Sequence, residues 1–119
     1  MISKVLLVIK SPPYGNNRAN EGLRIATAMI AMDVLPQIWF MEDGVYCLVK
    51  NQKVETVGLD SFTERLRTLA DLVGLYAFAD SLFQRKLQPR DLDENFKVKI
   101  LAINETTELV AQNETVMTF

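Results

Sequence analysis

The chain contains no histidine and a single cysteine, Cys47. The first absence removes the Ser-His-Asp and Cys-His pairs and the imidazole metal ligand. The second removes any internal disulfide and any thiolate zinc site. Catalysis is left to carboxylates, Lys, Tyr or Cys47, and no cofactor or metal is expected. An excess of positive charge is also missing: 13 Lys and Arg stand against 15 Asp and Glu, a net charge of −2. Such a surface does not neutralise a phosphate backbone, which excludes direct nucleic-acid binding as the main activity. No apolar run approaches the roughly 20 residues of a membrane span. The N-terminal "MISKVLLVIKSPP" holds only five apolar residues between Lys4 and Lys10. It lacks the longer core and small-residue cleavage site of a signal peptide and reads as a buried strand. A cytoplasmic chain without a membrane partner is expected.

What is present is enough for a core. Of the 119 residues, 49% are apolar, so one domain spanning 1–119 can fold without disulfides or metal. "KVLLVIK" (4–10) suits a strand buried on both faces. "SPPYGNN" (11–17) is a loop, and a helix is expected from Arg18 to Met32 with Leu23, Ala26, Met29 and Ile30 as its apolar stripe. "VLPQIWFM" (34–41) reads as the second strand. Asp43 is placed as the N-cap of a short helix to about Asn51, followed by a connection over 53–60. Ser61 and Glu64 form a capping-box pattern before a helix whose Phe62, Leu66, Leu69 and Val73 face one way. "GLYAFAD" (74–80) is a third strand, with Asp80 or Ser81 capping a short helix around Leu82 to Leu87. "QPRDLDEN" is a polar loop, "FKVKILAI" (96–103) a fourth strand, Asn104 a cap for "ETTELVAQ", and "ETVMTF" a fifth strand. Strands alternating with helices predict a three-layer α/β/α fold around a five-stranded parallel sheet.

In open α/β sheets the loops after the strand C-termini line the binding crevice. That rule places Tyr14 and Gly15, in "PPYGNN", where a ligand or partner would meet them. The loop is not a phosphate loop, since it matches neither GxGxxG nor GxxxxGK[ST]. Glu21 falls in the first helical turn, where an acid also favours the helix dipole. "EDGVYCLVKNQ" (42–52) is the second such segment and brings Asp43, Gly44 and Tyr46 to the same edge. At about 100° per residue, Val45, Leu48, Val49 and Gln52 share one side of an α-helix. Cys47 then points about 200° from Val45, off that core face. It is either partly exposed or buried against a neighbouring loop or subunit. Lys50 is the near cation, and two roles stay open: a structural or interface thiol, and a reactive one.

These segments, taken in order, resemble the DsrE/DsrF-like family, and within it the DsrF/TusC branch of sulfur-relay subunits. The matching residues begin with Pro13-Tyr14-Gly15, Glu21-Gly22-Leu23, and Asp43-Gly44-Val45-Tyr46 with Leu48 and Gln52. Arg67-Thr68-Leu69, Ser81-Leu82, Arg85, Leu87 and the closing Phe119 follow. The resemblance spans essentially the whole length. It implies trimers, hexamers or heterohexamers, and a relay that passes persulfide sulfur between cysteines toward tRNA 2-thiouridine synthesis or sulfur oxidation. In the heteromeric complexes the sulfur-carrying cysteine belongs to the DsrE/TusD subunit, in a loop beyond the third strand. The stretch "GLYAFADSLFQRKL" has none here. The expectation is therefore an accessory subunit that assembles with DsrE/TusD-like and DsrH/TusB-like chains or with itself. The alternatives are a homo-oligomeric persulfide carrier using Cys47 and a small-ligand-binding α/β module.

Overall fold

The computed structural model describes residues 4–50 and 59–119, and the side chains of these apart from residues 59–61. Gln52 and most of the connection expected over 53–60 lie outside the described residues. Strand β1, Val5–Ile9, is buried along its whole length, as an uninterrupted apolar run requires in a strand covered on both faces. Helix α1, Arg18–Ala31, follows the proline-containing loop and buries Leu23 and Ala26 while Met29 and Ile30 pack at the margin.

Strand β2 is Gln37–Phe40, three residues shorter at its start than expected. The chain is still unwinding from α1 there: the Val34 amide donates to the Met29 carbonyl at 2.9 Å. Pro36 then has no N–H to give a ladder. A 3-10 helix, Glu42–Leu48, leaves β2. Helix α2, Leu59–Ala70, buries Phe62, Leu66 and Leu69. It begins before Ser61, so Ser61 lies inside it and not at its cap.

Strand β3, Leu75–Phe78, runs directly into α3, Ala79–Gln84. Asp80 and Ser81 are therefore helical residues, and the flanking position is Phe78. The polar loop holds two 3-10 turns, Pro89–Asp91 and Glu94–Phe96. Their side chains close them locally: Asp91 accepts from the Gln88 amide at 2.7 Å and Asp93 from the Asn95 amide at 2.9 Å. That second turn consumes Phe96, and Lys97 takes a left-handed φ of 52°, so β4 shrinks to Lys99–Leu101. Helix α4, Ile103–Ala111, is flanked by Ala102 and not capped by Asn104. Glu105 reaches back instead, its carboxylate accepting from the Ala102 amide at 3.0 Å. Strand β5 is Thr115–Thr118.

The sheet order is β4-β3-β2-β1-β5, with every pairing parallel. Strand side chains alternate between two cores. Leu7, Ile9, Ile38 and Phe40 pack with α1, α2 and the 3-10 helix, while Leu6, Val8, Trp39 and Leu101 pack with Leu109 of α4. The fold is thus three-layer α/β/α. Among the described residues no helix is long and apolar enough to cross a membrane.

Candidate functional site

The parallel sheet brings the C-terminal ends of β1, β2 and β3 side by side, and the 3-10 helix sits across them. The Met41 amide donates to the Ile9 carbonyl at 3.0 Å, and the Gly44 amide donates back to Met41 at 2.9 Å. A Cβ on Gly44 would overlap the Ile9 carbonyl oxygen, so only glycine allows this close approach.

A 3-10 helix turns every three residues, so positions i and i+3 stack. Gly44 and Cys47 then form one face, against the end of β1 and the start of its loop. Val45 and Leu48 form a second, fully buried face. Asp43 and Tyr46 form the third, outward face, with Asp43 exposed and Tyr46 half-buried.

This geometry corrects two expectations. Asp43 is the second residue of the helix, not its cap, because Met41 is the flanking residue. Cys47 is not turned off the core: it is 2% exposed and belongs to the main hydrophobic cluster of this chain. The α-helical angle misplaced it, since two faces of the tighter helix are buried. Of the surroundings weighed for it, a neighbouring loop is the one found. Its Sγ lies 3.6 Å from the Ser11 carbonyl oxygen, close enough for the thiol to donate. Burial pushes the thiol pKa up from its ordinary value of 9.0, partly offset by a backbone hydrogen bond.

Around the outward face lies a polar cluster that ties three strands together. Lys10, just after β1, pairs with Glu42 at 3.0 Å. Glu42 holds a left-handed φ of 49°, and its amide donates to the Ser81 hydroxyl oxygen at 2.9 Å. Arg85 donates to the Asp43 carboxylate through Nε at 3.1 Å and lies 3.0 Å from it through its second nitrogen. The remaining guanidinium nitrogen donates to the Ser81 carbonyl at 3.2 Å. Phe83 of α3 is 84% exposed, and Tyr14 of the β1 loop is 51% exposed.

Gly15 takes φ +87°, a conformation that turns the β1 loop at little cost only for glycine. Asn16 accepts from the Arg18 amide at 3.0 Å and leads the chain into α1. Glu21 turns to its own helix, pairing with Arg24 at 2.6 Å. It also lines an open hollow of about 420 Å³ with Asn17, Arg18, Thr118 and Phe119. The structure thus unites Asp43, Gly44 and Cys47 at the ends of β1 and β2, and leaves Glu21 on a separate patch. Lys10, Glu42, Ser81 and Arg85 were not singled out as site residues by sequence reasoning. For Lys10, Glu42 and Ser81 the signal was position, since each lies within three residues of the C-terminal end of a parallel strand, whereas Arg85 comes from the far end of α3. Among the described residues no three Cys, Asp or Glu side chains gather as a metal ion would need.

The intracellular sulfur oxidation protein DsrF of Allochromatium vinosum is 28% identical over 133 aligned positions, covering 100% of this chain and 98% of the relative. Protein TusC of Escherichia fergusonii is 30% identical over 91 residues, covering 75% of this chain and 76% of the relative. The crystal structure of the ychN protein from E. coli shares the fold with a TM-score of 0.80 at 21% identity, covering 99% of this chain and 100% of that one. The model of the DsrE/DsrF-like family matches residues 3–119. With nearly its whole length matched, the chain belongs to the DsrE/DsrF-like family.

Proposed function

We propose that this chain is an accessory subunit of a cytoplasmic sulfur relay of the DsrF/TusC type, acting as one domain over 1–119 and without a cofactor. The observation that carries the reading is the state of its only thiol. In persulfide transfer an acceptor thiolate attacks the terminal sulfur of a donor persulfide. The S–S bond breaks and the donor leaves as a thiolate. The acceptor must therefore be ionised and reachable. Cys47 is buried and held in its neutral form. The similarity to DsrF and TusC supports a place in such a relay. The sulfur would then pass on a cysteine-bearing paralogue of the DsrE/TusD type, with a DsrH/TusB-like chain as a third subunit.

The surface offered to that paralogue is the C-terminal edge of the sheet. There Asp43 and Tyr46 present the outward face of the 3-10 helix, with Gly44 buried behind them against Ile9, and Tyr14 and Gly15 belong to the loop that leaves β1. Exposed tyrosine and arginine are residues that interfaces enrich. The test pairs two measurements. Incubation with a cysteine desulfurase and labelled cysteine, read by intact mass, should give no adduct of about 32 Da (one sulfur) on this chain, because its thiol is not ionised. Titration with the DsrE/TusD-like paralogue should show binding, weakened at least about tenfold by Arg85→Glu, which reverses a charge at the edge. A labile adduct lost in Cys47→Ser, or no affinity for any such paralogue, would overturn the proposal.

A further inference from the structure

The end of the Glu42–Leu48 helix is tied to the polar loop that follows α3. Val49 and Leu92 form an antiparallel bridge. The Lys50 amide donates to the Asp91 carbonyl at 2.9 Å, and the Asp93 amide to the Leu48 carbonyl at 2.8 Å. Between this bridge and α2 lies a hollow of about 700 Å³. Small-molecule pockets are on the order of 300–1,000 Å³, so the hollow is large enough for a ligand. It shares no residue with the cluster around Asp43 and Arg85.

Its lining is apolar in one part and charged in another. Val49, Pro89 and Leu92 are the apolar part. Lys50, Arg67 and Arg90 bring three positive charges, from the bridge, α2 and the first turn of the loop. Asp93 and Glu94 bring two negative ones. Asp93 is already engaged: one carboxylate oxygen accepts from the Asn95 amide at 2.9 Å, and the other lies 3.9 Å from Arg67. Asp91, beside Arg90, turns its carboxylate to the Gln88 amide at 2.7 Å. Among the described residues neither Lys50 nor Arg90 forms an ion pair. Positive charge is thus left over here, in a chain whose net charge is −2. Both cations also start from fixed backbone, Lys50 on the bridge and Arg90 in a closed turn, which lowers the cost of ordering them around a ligand.

We propose that this hollow binds a small phosphate monoester, its phosphate on Lys50 and Arg90 and its organic group against Val49, Pro89 and Leu92. The guanidinium fork matches a pair of phosphate oxygens, and lysine adds a point charge. A dianionic phosphate uses both cations, whereas a carboxylate brings one charge to two. A bare ion gains nothing from the apolar lining, so the ligand carries an organic group. A nucleic acid is a poorer occupant, because a phosphate backbone needs a run of cations and the surplus is confined to this hollow. The inference is independent of the sulfur-relay role.

Amide NMR titration of the full chain at low ionic strength tests it, with phenyl phosphate and inorganic phosphate as probes. Phenyl phosphate should give saturable shifts centred on residues 89–95. It should bind at least about threefold more tightly than inorganic phosphate, because only the ester covers apolar lining. Lys50→Gln and Arg90→Gln should each weaken the ester at least about tenfold, as loss of a charge-assisted hydrogen bond does. Both side chains are exposed, so the variants should keep the wild-type spectrum away from the hollow. Lys4→Gln removes the same charge at an exposed site elsewhere and should leave binding unchanged. Four results would overturn the proposal: no binding of the ester, equal binding of free phosphate, binding unmoved by the two variants, or an equal loss in Lys4→Gln.

Discussion

Gly44 and Cys47 stack one above the other in the 3-10 helix and respond to substitution for different reasons. Gly44→Ala forces a methyl group into the Ile9 carbonyl, with backbone on both sides of the clash. Its cost should be about 2 kcal/mol or more, measured by urea unfolding, since neither backbone can yield without shifting a strand end. Cys47 is packed in the core, away from water. In the native chain it should resist thiol reagents, and it should react fully once urea unfolds the protein. Burial raises its folded pKa above the unfolded 9.0, so the native chain keeps a proton that the unfolded chain gives up. This group therefore leaves stability unchanged well below 9.0 and lowers it as pH rises past that value, by at most about 1.4 kcal/mol per pH unit. In Cys47→Ala that part of the alkaline decline should vanish. The sequence displayed the thiol but not its surroundings, because the angle between Val45 and Cys47 depends on whether the helix takes 3.6 or 3.0 residues per turn.

Among the elements, the strands and long helices were legible because their apolar periods are unambiguous. Leu23 and Ala26 in α1, and Phe62, Leu66 and Leu69 in α2, are buried as their spacing requires. The helix starts were less legible. Side-chain caps were expected at Asp43, at Asp80 or Ser81, and at Asn104, yet these helices leave their strands with Met41, Phe78 and Ala102 at the flanking positions. Two of the polar groups expected to cap were drawn into contacts between elements. Ser81 accepts from the Glu42 amide, and Asp43 pairs with Arg85. Such partners lie about 40 residues apart in the chain and carry no local signal. Ser81→Ala should leave the Glu42 amide without its acceptor and cost about 1 kcal/mol, read by thermal or urea unfolding. Lys10→Ala should change stability by less than about 1 kcal/mol, because its ion pair with Glu42 is half exposed on both sides.

For the molecule as a whole, alternation of strand and helix was enough to predict a parallel five-stranded sheet. The order of its strands was not readable, since a β-α-β unit fixes handedness and adjacency only for neighbours in sequence. Strands β1 to β4 follow that rule one after another. The α4 connection alone carries the chain back over the other face, so that the last strand lies beside the first. Family resemblance was legible for a different reason. It rested on short segments such as Asp43-Gly44-Val45-Tyr46, whose glycine the close packing against Ile9 now explains.

That return of the chain makes β5 a shield as well as an edge. It covers one side of Val5-Leu-Leu-Val-Ile9, five consecutive branched apolar residues with no proline, the kind of segment that seeds intermolecular β-structure when uncovered. Until β5 docks, β1 has β2 on one side and nothing on the other. The contact that closes it spans nearly the whole chain, from Val5 to Thr115, and such distant pairings form slowly. Deleting 114–119 should therefore yield insoluble or thioflavin-positive material. A folded, soluble truncation product would show that β1 does not need this cover. Aggregation during refolding should fall when α4 and β5 are supplied early, as in a circular permutant that begins at α4.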